Sequence, residues 1–157
     1  MYIGTSNREI YRVNNPYSAN MTFSLLNLSR LPIRGYVSGM AIDPEDANRM
    51  LVCYSNYNVN SLVYTEDGGN LWYLVGGNLE KNDNSSGTNP SVRCVNILVE
   101  PGGKRRYFAG TSIGLFSTDS LVLATAASVN NTVWQQESPE QIGAAVVTDI
   151  KVRQADG

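Results

Sequence analysis

The sequence predicts an all-β protein built from repeated antiparallel sheets of four short strands. Three observations carry this. Apolar, β-branched and aromatic runs are bounded by Gly, Pro, Asn and Asp throughout, and no stretch keeps a helical period. The runs recur about every fifty residues: Ile10-Tyr11, Val63-Tyr64 and Leu115-Phe116 stand 53 and 52 residues apart. Flanking markers recur with them. Gly4-Thr5-Ser6 matches Gly110-Thr111-Ser112, Ile42-Asp43-Pro44 matches Val99-Glu100-Pro101, and 147–152 resembles 96–99, with Val152 placed 53 residues after Val99.

The elements follow in order. Residues 2–5, 9–13 and 22–26 read as the last three strands of a first unit, 1–30. Residues 39–42, 50–54, 62–65 and 72–75 make a complete second unit, 36–78. Residues 94–99, 107–110, 115–117 and 133–136 make a third, 91–138, and 147–152 opens a fourth within 146–157. The stretch from Ser120 to Ser128, with Ala124, Ala126 and Ala127, has the composition of a helical turn inserted into the third unit. The long polar segment 78–91 reads as a surface loop. Its Asn82-Asp83-Asn84 start mimics a calcium loop, but Arg93 stands where such a loop needs Glu, so no metal is expected.

One hairpin anchors the second unit: Leu62-Val63-Tyr64-Thr65-Glu66-Asp67-Gly68-Gly69-Asn70-Leu71-Trp72. Asp67 can accept bonds from backbone N–H groups further along the turn, and Gly69 supplies positive φ without a Cβ clash. Trp72 then returns against the preceding strand with a large apolar area. Thr65, Asp67, Gly69 and Trp72 together resemble the Asp-box, or BNR repeat, of sialidase-like and sortilin-like β-propellers. The resemblance implies blades of four antiparallel strands, about three blades' worth, with the box at the outer hairpin of each blade. A degenerate box is expected at Ser117, Asp119 and Trp134, where Ser120-Leu121 replaces the Gly-rich turn. The first unit has Arg12, Asn14 and Asn15 there, so its box is nearly erased. The unit count also predicts an incomplete propeller, completed by further blades or by a second copy.

Composition bounds function. The 157 residues are 42% hydrophobic and 17% charged, an ordinary globular balance. A net charge of −2 without a basic stripe argues against nucleic acid. No run approaches the ~20 apolar residues that span a bilayer. With two cysteines and no histidine, four-ligand zinc sites and histidine-dependent nucleophilic catalysis are excluded within the chain. No cofactor is expected. Cys53 and Cys94 sit in apolar runs and read as buried, unbridged thiols.

In a propeller the loops on one face gather around the channel. Here those are 28–37, 78–93 and 138–145 with 6–8, 55–60 and 111–113. They carry Arg30, Arg34, Tyr36, Asn56, Tyr57 and Arg93, a set suited to sugar stacking or protein contact. Asp149, within the apolar run 147–152, is a further binding candidate and a candidate inward carboxylate. The expectation is a non-catalytic binding propeller for carbohydrate or protein. The alternative is part of a sialidase-like or xyloglucanase-like glycoside hydrolase whose acid and base lie partly outside this chain. Val133-Trp134-Gln135-Gln136-Glu137 resembles blades of large secreted or surface proteins of Bacteroidetes-type bacteria, which implies an extracellular or cell-surface location. Met1-Tyr2-Ile3-Gly4 enters a strand at once and shows no signal peptide, as expected of a piece of a longer protein.

Overall fold

The computed structural model describes residues 1–80, 90–125 and 131–153. Eleven strands form among them: β1 Tyr2–Gly4, β2 Ile10–Asn14, β3 Thr22–Leu25, β4 Val37–Ile42, β5 Met50–Tyr54, β6 Leu62–Thr65, β7 Tyr73–Leu74, β8 Val92–Val99, β9 Arg105–Thr111, β10 Gly114–Thr118 and β11 Gln135–Gln136. They pair antiparallel into three sheets, β1-β2-β3, β4-β5-β6-β7 and β8-β9-β10-β11. Each sheet is a meander, as short connections between runs of alternating strands dictate. The three do not close into a barrel or ring. No helix of the described residues is long and apolar enough to cross a membrane.

The sheets repeat in register. Gly4 pairs with Ile10, Cys53 with Leu62, and Gly110 with Leu115. The equivalent residues are therefore Ile10-Tyr11, Leu62-Val63 and Leu115-Phe116; the middle pair lies one residue earlier than the sequence pattern suggested. Both inner strands bulge near their start, between Val37 and Gly39 and between Val92 and Cys94. Val37, Val92 and Val147 thus stand 55 residues apart, which moves the fourth repeat from the expected pairing of Val152 with Val99. Residues 147–152 run alongside the third sheet, at Thr111 and Asn96, but form no ladder with a described strand.

The core lies between the sheets. Met50, Val52, Tyr54, Val63, Trp72 and Leu74 pack against Ile10, Leu26 and Leu31 of the first unit. Leu51, Cys53, Leu62, Tyr64 and Val75 pack against Val95, Ile97, Tyr107, Ala109 and Trp134 of the third. Alternate residues of β5 serve the two interfaces, so all five are buried. This explains its unbroken apolar run, which a half-buried strand would not show. Tyr64 and Tyr107 meet edge to face across the second interface at 5.7 Å.

Small residues set the inner seam. A Cβ on Gly4 would stand 2.4 Å from Val37, and one on Gly110 would stand 2.7 Å from Val147. A Cβ on Gly39 would meet both Cys53 Sγ, at 3.0 Å, and the Cys94 Cα, at 3.2 Å. Cys53 and Cys94 flank that contact as two free, buried thiols.

Two outer strands are shorter than expected. Trp72 and Trp134 leave the ladder and turn inward, so β7 and β11 keep two residues each. The 120–125 part of the expected helical turn is irregular and not helical; Leu74 N–H donates to Ala124 C=O at 2.9 Å, covering the edge of β7. The remainder of that stretch, and most of the polar segment 78–91, lie outside the described residues.

Candidate functional site

Two ends of the stack differ in chemistry. At one end the β6–β7 hairpin makes a closed turn. Thr65 Oγ accepts from the N–H of Asp67 at 3.3 Å and of Gly69 at 3.0 Å, while its hydroxyl donates to Asp67 Oδ1 at 2.9 Å. Asp67 Oδ1 accepts further N–H bonds from Asn70 at 3.0 Å and Leu71 at 2.9 Å. Partial burial pushes the Asp67 pKa up, but the bonds from Leu71, Thr65 and Asn70 outweigh it and hold it below its ordinary value. Gly69 has φ +89°, and a Cβ there would stand 2.5 Å from Leu26. The turn is thereby seated on the preceding sheet. Asn27 N–H donates to Gly69 C=O at 3.1 Å, and Trp72 Nε1 donates to Asn27 C=O at 2.8 Å.

Trp134 repeats that docking, donating from Nε1 to Val75 C=O at 2.8 Å. Ser117 and Asp119 do not repeat the turn. The ladder sets Thr118 opposite Tyr107, as Thr65 is opposite Met50. Thr118 Oγ accordingly accepts from Ser120 N–H at 3.3 Å. A shift of one residue puts a side chain on the other face of a strand. Ser117 therefore binds Glu137 and Arg106, and Asp119 pairs with Lys104 at 2.6 Å.

The opposite end gathers the loops that were read as a binding face. Arg8 N–H donates to Gly35 C=O at 2.8 Å, Ser91 Oγ to Ser55 C=O at 2.7 Å, and Tyr36 N–H to Asn56 Oδ1 at 2.6 Å. Tyr54 anchors the 28–37 loop. Its ring lies against Gly35, where a Cβ would stand 2.5 Å away, and its hydroxyl donates to Arg8 C=O at 3.1 Å. A groove of ≈ 650 Å³ opens between the 30–34 and 58–60 segments, lined by Arg30, Leu31, Pro32, Ile33, Arg34, Asn58, Val59 and Asn60. Arg30 is steadied by a bond from Nη1 to Trp72 C=O at 3.3 Å. Tyr36, Tyr57 and Ile33 are exposed.

The structure thus brings Arg34, Tyr36, Asn56 and Tyr57 together on two hydrogen-bonded loops. Arg93 follows Val92, whose carbonyl accepts from Ser38 Oγ at 3.1 Å, and it points outward from the β8 bulge. Asp149 lies apart from them on the extended 147–152 segment and pairs with Lys151 at 3.0 Å. Sequence reasoning did not single out Ile33 and Val59 in the groove wall, nor Arg8 behind it. The signal was present in Arg30-Leu31-Pro32-Ile33-Arg34, two arginines flanking a proline between strands. Among the described residues, Arg8, Arg30, Arg34 and Arg93 make no ion pair with a carboxylate.

Glu80 stiffens the base of this end. Its carboxylate accepts from the N–H groups of Ser61 and Leu62, the latter at 3.2 Å, and turns inward over Gly76. Burial pushes its pKa up to about 7 although both N–H bonds pull it down. No sequence pattern pointed to it. Comparison with protein-family models and with curated proteins returns no match.

Proposed function

We propose that this chain is an arc of Asp-box propeller blades from an extracellular or cell-surface protein, and that its loop end binds an acidic carbohydrate. The groove between the 30–34 and 58–60 segments carries the reading. Arg30 and Arg34 stand there without a carboxylate partner among the described residues, and a guanidinium fork matches the carboxylate of an acidic sugar in two parallel bonds. The exposed Tyr36 and Tyr57 rings flank the same loops and suit stacking on sugar faces. The described residues lining the groove include two arginines and no carboxylate, a lining of recognition groups. The blade reading is supported separately by the Thr65-Asp67-Trp72 turn and by three sheets sharing one register.

The test is a glycan array probed with the chain, followed by titration of any hit. Uronic- or sialic-acid glycans should bind, their neutral counterparts should not, and Arg34→Ala should weaken binding about tenfold or more. Retention of protein ligands alone, or equal binding of neutral glycans, would overturn the acidic-carbohydrate assignment.

A further inference from the structure

The two arginines of the groove are not held alike. Arg30 sits inside a closed turn: Leu31 N–H donates to Leu28 C=O at 3.3 Å, and Arg30, at the third position, has φ +68°. A type II turn reserves that position for glycine or asparagine, because a Cβ there crowds the backbone. Across the groove Asn58 has φ +60°. Asparagine visits this region readily, whereas arginine does so rarely. A strained residue persists only where its surroundings over-determine it, and such residues gather at ligand clamps. Arg30 lines the groove.

What holds Arg30 there is the β6–β7 hairpin. Trp72 grips both ends of the turn: its Nε1 donates to Asn27 C=O at 2.8 Å, and its own C=O accepts from Arg30 Nη1 at 3.3 Å. Asn27 engages the hairpin and the turn at once. Its N–H donates to Gly69 C=O at 3.1 Å and its Nδ2 to Asn70 C=O at 2.6 Å, while its Oδ1 accepts from Ser29 N–H at 2.9 Å. Leu31, buried in the core beside Trp72, closes the turn from below. The clamp uses hairpin carbonyls. The Asp67 carboxylate binds the N–H groups of Asn70 and Leu71, so the two networks share a hairpin without sharing a group.

A guanidinium carries five N–H donors, and the bond to Trp72 engages Nη1. The edge formed by Nε and Nη2 keeps the fork that pairs with a carboxylate in two parallel bonds. A side chain fixed before its ligand arrives loses little freedom on binding. Arg34, by contrast, makes no side-chain bond among the described residues. It can act as a charge without a fixed direction.

We propose that Arg30 is the specificity-determining residue of the groove, reading the ligand carboxylate through its fork, and that Asn27 and Trp72 are its positioning residues. This assignment rests on the acidic-carbohydrate reading of the groove and adds which group confers it.

The experiment titrates the whole chain with methyl glucuronide and methyl sialoside, each beside its neutral methyl ester. Arg30→Lys keeps the charge and loses the fork, and it should weaken binding of the acid about tenfold or more. Arg34→Lys should change it about twofold or less. Arg30→Gly relaxes the turn, so its denaturation midpoint should match or exceed that of the unaltered chain while acid binding is lost. Asn27→Ala should weaken binding when Arg30 is present and have no further effect in the Arg30→Gly background, a coupling that a merely structural role would not produce. Equal losses for the two lysine variants overturn the assignment. So do additive losses for Asn27→Ala and Arg30→Gly, or a lowered midpoint with binding retained in Arg30→Gly, since Arg30 would then serve the fold. An unaltered chain that does not prefer either acid to its ester overturns the groove reading itself. An acid-selective chain that Arg30→Gly leaves unchanged overturns this assignment alone.

Discussion

Single residues do work at this protein's turns that no neighbour can take over. Asp67 satisfies two backbone N–H groups and orients the Thr65 hydroxyl at the end opposite the groove. Asp67→Ala should therefore cost on the order of 1–2 kcal/mol of stability and leave ligand binding intact. Denaturant titration alongside a binding isotherm checks both halves. Glu80 is held with its pKa raised from 4.5 to about 7 by burial. A carboxyl whose folded pKa exceeds its unfolded one contributes stability that is present below pH 4.5 and lost as pH rises through 7. Glu80→Gln should flatten the stability profile across that window in urea titrations at stepped pH. Cys53 is buried and its pKa pushed up to about 12, so a thiol reagent should leave native protein unlabelled. Two thiols should react in the unfolded, unreduced chain; zero would mean a disulfide that the geometry does not contain.

At the scale of elements, the tryptophans convert separate meanders into a stack. Each leaves its strand early, which shortens β7 and β11, and each bonds from Nε1 to a carbonyl of the preceding unit. Trp72→Ala should cost about 3–5 kcal/mol by the large-to-small rule for cores. Phe23→Ala, at the same position of the first sheet, should cost far less because its ring is exposed. Chemical unfolding of the two variants in parallel checks the contrast, and equal losses would contradict the shared register.

At the scale of the molecule, one ion pair ties the second unit to the third. Asp43, beyond β4, bonds to the Arg105 guanidinium at the start of β9, and Glu45 adds a contact at 3.1 Å. Burial pushes the Asp43 pKa up, but bonds from Arg105 and from the Glu45 and Asp46 N–H groups, with the Arg105 charge, hold it below 3.8. A depressed carboxylate stabilises above its unfolded pKa, and that contribution is lost as pH falls through the folded value. Asp43 and Asp67 together predict acid unfolding that steepens below pH 3.8. Asp43→Asn should remove part of this dependence, as measured by tryptophan emission during acid titration.

The sequence by itself determined the strands of the three sheets and the hairpin chemistry, though not the expected strand at 147–152 or the expected helical turn at 120–125. Strand pattern, turn residues and a period near fifty are local or periodic signals, and each sheet formed within a residue or two of its expected place. Thr65 and Asp67 act on groups two to four positions away, so spacing exposed that turn, whereas the Asn27 and Leu26 partners of Trp72 and Gly69 came only from the fold. What only the tertiary structure decided was register and partnership. Whether Ser117 or Thr118 repeats Thr65 depends on how β10 pairs with β9, and a one-residue shift exchanges the faces. Cys53 and Cys94 lie far apart in the chain, as do Asp43 and Arg105 and the two walls of the groove. These groups meet only because glycines at the seam let one sheet sit against the next, a long-range condition that no short window of sequence records.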